Sequence, residues 1–261
     1  MTTMATDRPG SSRAHAGENS RSGVRVAVRE IREAAFRALI AAGASGGEAA
    51  TAAELVVLGE VLDGEGILAL VDELDRVPRG RAPLSRDEDT LAVLQDPAHR
   101  GPLLLGPPAA ELAAAGGRPV LLPRATWTPA VVWNLIGTAA RTTTPLVATQ
   151  VRADATAGGS ALATPDGAVY QAPHPGSSAS HPYLGSALAA AVAHGGGVLL
   201  SRWTGDALPT DLMPARSSAQ HEVRFTAAMR NGLWVAPGPW TTLHTASRQF
   251  LVPEPDHVPA P

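Results

Sequence analysis

Apolar residues recur at helical spacing through the first third of the chain and break into short mixed runs after it. Over residues 28–42, Val28, Ile31, Ala35 and Leu39 share one face, while Arg29, Glu33 and Arg37 line another as i,i+4 pairs. Gly43 is a natural stop. Ser45 with Glu48 three positions later reads as a capping box. Ala49, Ala52, Ala53, Val56 and Val57 then give a second helix a small-residue face suited to close packing. Gly64 closes that helix. Residues 66–77 predict a third, with Ile67, Leu70, Val71 and Leu74 inward and Pro78 ending it.

Residues 79–90 are charged and aperiodic and read as a connector. Beyond it, 103–105 is a short apolar run, 108–115 a short helix, 119–122 a buried strand, 129–141 a helix and 145–151 a second strand. Residues 161–164 and 168–171 flank Pro165-Asp166-Gly167, where proline presets a turn and glycine takes positive φ, so a hairpin is expected. A helix over 181–194 meets Gly195-Gly196-Gly197, and a strand follows over 198–203. Ser217 with Gln220 caps a helix reaching Arg230. A strand over 233–236 and a helix over 240–251 complete the pattern.

The predicted fold class is α+β (or α/β): an N-terminal three-helix cap, then a small mixed sheet with flanking helices. The expected organisation is a disordered tail (1–24), the cap (25–78), the connector (79–90), a mixed α/β region packed with the cap as one domain (91–252) and a Pro-rich tail (253–261).

Composition removes several chemistries. The chain has 261 residues, no cysteine, and 21 cationic residues that are all arginine. Thiolate zinc sites, cysteine nucleophiles, Schiff-base lysines and Walker-type lysines are therefore excluded. A net charge of -3 gives no electrostatic case for nucleic acid or an anionic membrane. No apolar run approaches the ~20 residues of a membrane span. A soluble, cytoplasmic protein is expected.

Glu60, Asp63 and Glu65 cluster between the second and third helices. Such carboxylates can exchange protons or hold a cation; the simpler expectation is that Asp63 and Glu65 favour the positive end of the third helix. No histidine pair has metal-ligand spacing, so no metal site is expected. His174 and His181 bracket the Ser-rich loop 175–180, where Ser180 beside His181 could act as nucleophile and base. Glu65, His174, Ser180 and His181 are thus the candidate catalytic residues. The glycine triplet runs from helix to strand, opposite to phosphate-binding turns, and reads as a helix stop. Trp133 and Trp240 are expected in the core.

Two resemblances follow. The block 28–58 (VREIREAAFRALIAAGASGGEAATAAELVVL) resembles the opening of an uncharacterised bacterial family of unknown function. The closing pattern Trp240, Leu243, Ala246, Val252 and Pro253 resembles that family's ending. More distantly, the same block is similar to the type II malate/L-lactate dehydrogenases, whose opening helices lead to D-x-x-G-x-x-S-H-G. That histidine serves acid–base work beside a nicotinamide. The matching stretch here, Glu60 to Gly66, has neither serine nor histidine. Two functions are therefore expected. The first is a non-catalytic binding or assembly protein without cofactor, its Ala-rich helices forming a homo-oligomer or docking on a partner enzyme. The alternative is a small-molecule oxidoreductase using NAD(P).

Overall fold

The computed structural model describes residues 23–77, 84–88, 90–96, 100–154, 156–172, 185–205 and 212–250. Strand β1 (Val24–Val26) leads into three helices, α1 (Val28–Ala42), α2 (Gly46–Asp63) and α3 (Gly66–Leu74). Their boundaries follow from the sequence. Gly43 and Gly64 end α1 and α2 with left-handed φ of 109° and 70°. Ser45 and Glu48 form the expected capping box, the Glu48 amide donating to Ser45 Oγ at 3.3 Å. The small-residue face of α2 is buried inside the molecule, where Ala49, Ala52, Ala53, Val56 and Val57 pack against α1 and neighbouring helices. It is not held out for a partner.

The rest of the chain runs β2 (Leu84–Asp87), β3 (Ala92–Gln95), α4 (Pro102–Ala115), β4 (Val120–Pro123), α5 (Pro129–Thr142), β5 (Leu146–Val151), β6 (Ala157–Ala163) and β7 (Val169–Gln171). It continues α6 (Gly185–Ala193), β8 (Gly197–Arg202), β9 (Met213–Arg216), α7 (Ser218–Asn231), β10 (Leu233–Val235) and α8 (Pro237–Arg248). Eight strands form one mixed sheet in the order β2-β3-β4-β8-β5-β6-β7-β9. Among the described residues only β3 and β4 pair in parallel; the other neighbouring pairs are antiparallel. β1 pairs with β10 and so ties α1 to the C-terminal helices.

Alternation along the strands builds two cores. Val120 and Leu122 of β4 join the main core under α1, α2, α4 and α5. Leu121 between them turns to the opposite face and packs with Ala187 and Ala191 of α6. Leu146 and Ala148 of β5 repeat the first pattern. The architecture is α+β, as the sequence predicts, and the hairpin at Pro165-Asp166-Gly167 forms with Gly167 at φ 85°.

Some elements differ from expectation. The sheet is larger than predicted because β3 and β9 are too short to show a period, and β2 lies inside the charged stretch read as a connector. α4 starts at Pro102, not Pro108, and passes through Pro107 and Pro108. Proline removes an amide donor from a helix, yet burial of Leu103, Leu104, Leu105 and Pro107 keeps this one together. Val71 and Leu74 of α3 are half-buried; its fully inward positions are Ile67, Leu70 and Glu73. The tails and the loop carrying His174, Ser180 and His181 lie outside the described residues. No helix among the described residues is long and apolar enough to cross a membrane.

Candidate functional site

A cleft of about 850 Å³ opens between α3, the start of α4, the end of β3 and the loop joining β4 to α5. Its size falls among small-molecule sites. Two helices begin at its edge. Gly101 and Pro102 start α4, and Thr128, Pro129 and Ala130 start α5. Each beginning concentrates amide donors and partial positive charge.

The β4–α5 loop is a strand-to-helix turn. Arg124 opens it at φ 60°, an uncommon conformation for a residue with a Cβ. Its amide donates to the Gly196 carbonyl at 2.9 Å, which fixes the turn against β8. Thr128 Oγ1 is buried at the head of α5 without a hydrogen-bond partner. The glycine triplet is a helix stop, as expected: the Gly196 amide donates to the Ala191 carbonyl at 2.9 Å.

Glu73 lies at the inner wall of the cleft and is buried, with 7% of its surface exposed. The Leu103 amide donates to Glu73 Oε1 at 3.2 Å, so this carboxyl caps α4 from another helix. A Cβ at position 101 would overlap the Glu73 carboxyl, so a larger residue there would have to displace that side chain from the start of α4. Glu73 Oε2 has no partner. Burial pushes the Glu73 carboxyl up to about 7, against the pull of the Leu103 and Leu104 amides, Arg76 and the Gly101 amide.

Cations and anions alternate around the rim. Arg76 and Arg124 are exposed, as are Glu65 and Asp72. Arg100 is buried and structural: its Nε donates to Asp96 Oδ2 at 3.1 Å and its Nη1 to Glu48 Oε1 at 3.2 Å. His194, at the end of α6, also lines the cleft, with Nε2 at 3.1 Å from Glu88 Oε2.

The carboxylate cluster at the α2–α3 corner divides. Glu65 reaches the cleft but makes no side-chain cap on α3. The carboxyl that holds the start of α3 is Glu60, which accepts from the Ile67 amide at 3.0 Å. Burial raises the Glu60 carboxyl above its ordinary value, opposed by the Ile67 and Gly66 amides. Asp63 turns away from α3. It accepts from Trp133 Nε1 at 2.6 Å and forms an ion pair with Arg216 on β9. Asp63 is thus committed to Trp133 and Arg216 and not to α3, while Glu65 occupies the N-cap position of α3 without a side-chain hydrogen bond.

With this geometry in view, the molecule has structural neighbours. The fold is dehydrogenase-like. It is similar to malate dehydrogenase from Entamoeba histolytica at a TM-score of 0.58 and 11% identity, covering 89% of this chain and 99% of that one. It is similar to a dehydrogenase from Sinorhizobium meliloti at a TM-score of 0.58 and 15% identity, covering 87% of this chain and 100% of that one. No family model matches the chain, and no curated protein matches it. The distant dehydrogenase resemblance thus gains support at the level of fold, and the resemblance to an uncharacterised family gains none.

Of the four candidate residues, Glu65 is on the cleft; His174, Ser180 and His181 fall outside the described residues. Sequence reading passed over Glu73 and His194. Glu73 had a signal: it follows Ile67 and Leu70 on the inward stripe of α3, where a charged residue is out of place. His194 had none, because only the fold brings the end of α6 to the edge of this cleft.

Proposed function

We propose that the protein is a small-molecule oxidoreductase whose cleft between α3, α4 and α5 takes a nicotinamide cofactor with its substrate. The cleft itself supports this reading most strongly: it is large enough for a ligand, and two helix beginnings meet at its edge. The neighbours suggest the reaction class, since one is a malate dehydrogenase and another a dehydrogenase.

The residues present fit an anionic, phosphate-bearing cofactor. Arg76 and Arg124 supply charge, the start of α5 supplies amides, and the orphaned Thr128 hydroxyl is an unused polar group. Leu68, about half exposed, supplies apolar wall for a flat ring, while Trp133 behind the wall is buried in the core. A bound nicotinamide supplies or accepts a hydride. The protein's part is to hold it, exclude water and manage the accompanying proton. The α2–α3 corner has no histidine for that proton; the ionisable groups on the wall include Glu65, Asp72, Glu73 and His194.

Titration with NADH and NADPH, followed by nicotinamide fluorescence, checks this reading. Binding below millimolar is expected, and Arg124→Gln should weaken it about tenfold through loss of one charge contact. No response at millimolar cofactor, with either form, would remove the oxidoreductase reading.

A further inference from the structure

We propose that Glu73 is the proton-exchanging group of this cleft, passing the proton on Oε2 to an oxygen or nitrogen lone pair of the bound ligand. The proposal rests on the reading that the cleft holds a small molecule.

The two carboxyl oxygens have different surroundings. Oε1 is occupied by the Leu103 amide and sits against Gly101. Oε2 is buried and has no partner, although Glu73 lines the cleft. A carboxylate that served only to cap α4 would be most stable with both oxygens satisfied, since an unpaired buried oxygen carries a desolvation cost. Protonation of Oε2 removes the charge from that oxygen and leaves the cap on Oε1 intact. Burial also holds the carboxyl up to about 7, which keeps both protonation states within reach near neutrality.

The transfer balances within the site. The Oε2–H bond breaks and a new O–H or N–H bond forms on the ligand. The electron pair stays on Glu73, whose new charge faces the Leu103 and Leu104 amides and Arg76. The reverse step returns the proton. The ligand class is therefore one with a basic lone pair that gains a proton, such as a carbonyl or imine; where that bond is reduced, the hydride comes from the nicotinamide of the proposed function and Glu73 gives only the proton.

The charged groups around Glu73 come from every wall. Glu65, Asp72 and Arg76 belong to α3 and its ends, Asp96 and Arg100 to the β3–α4 connection, and Arg124 to the β4–α5 loop. His194 with Glu88 stands across the cleft. Arg100 is paired with Asp96 and Glu48, so its charge is largely answered locally.

Labelling with the apolar reagent N,N′-dicyclohexylcarbodiimide tests this directly, because it modifies protonated carboxyls that it can reach in apolar surroundings. Peptide mapping of the whole protein between pH 5.5 and 8.5 should find Glu73 modified, with labelling falling by half near pH 7. Glu73→Gln should abolish that adduct and leave the others. An unmodified Glu73 at pH 5.5, or modification that ignores pH over this range, would overturn the proposal. The labelling needs neither cofactor nor turnover. A labelled Glu73 in a protein that ignores NADPH removes the oxidoreductase reading alone; NADPH binding with an unlabelled Glu73 removes this one alone.

Discussion

Glu73 couples the site to stability. Its carboxyl is held at about 7 when folded, above the ordinary value of 4.5. Between those values the folded protein keeps a proton that the unfolded chain releases, so Glu73 makes the wild type less stable as pH rises from about 4.5 to about 7. The loss is on the order of 3 kcal/mol as an upper bound. Glu60, also raised by burial, adds a slope of the same sign. His221 opposes it: burial, then Arg216 and Arg224, lower its pKa, so it favours the fold more as pH rises through its range. Glu73→Gln keeps the acceptor for the Leu103 amide and cannot ionise. Urea unfolding at pH 5 and pH 8 should therefore show the variant gaining on the wild type at pH 8. Equal slopes in both proteins would mean that Glu73 titrates normally.

At the scale of elements, the helices were legible because their ends and faces are written locally. Gly43, Ser45, Glu48, Gly64, Ser217 and Gln220 act within one turn of where they sit. The strands were less legible. β1, with three residues, shows no period of its own and pairs with β10 from across most of the chain. The cleft was the least legible part, since Glu73, Arg124 and His194 meet only through tertiary packing. One local feature does position it: the elbow between α2 and α3. A Cβ on Gly66 would overlap the Val56 carbonyl oxygen and the Glu60 amide. Backbone cannot yield as a side-chain tip does, so Gly66→Ala should cost about 3 kcal/mol. Gly47→Ala, where the added Cβ meets nothing within 4 Å, should be neutral or stabilising by up to about 1 kcal/mol. Denaturant midpoints compare the two. Equal effects would show that the elbow is not close-packed.

Over the whole molecule, the fold is similar to the dehydrogenase structures across 87% to 89% of the chain, while the α2–α3 corner carries no histidine. That corner has a structural task here: Glu60 holds α3, and Asp63 joins Trp133 to Arg216. The proposed proton carrier stands instead at the far end of α3, where Glu73 meets the start of α4. Everything then depends on whether the cleft is where a nicotinamide cofactor binds. Hydrogen–deuterium exchange with and without millimolar NADPH tests this most directly. Binding in the cleft should slow exchange across residues 66–76, 101–106 and 124–133, which border it, and leave α7 unchanged. No protection anywhere, or protection confined to α7 and α8, would contradict the account.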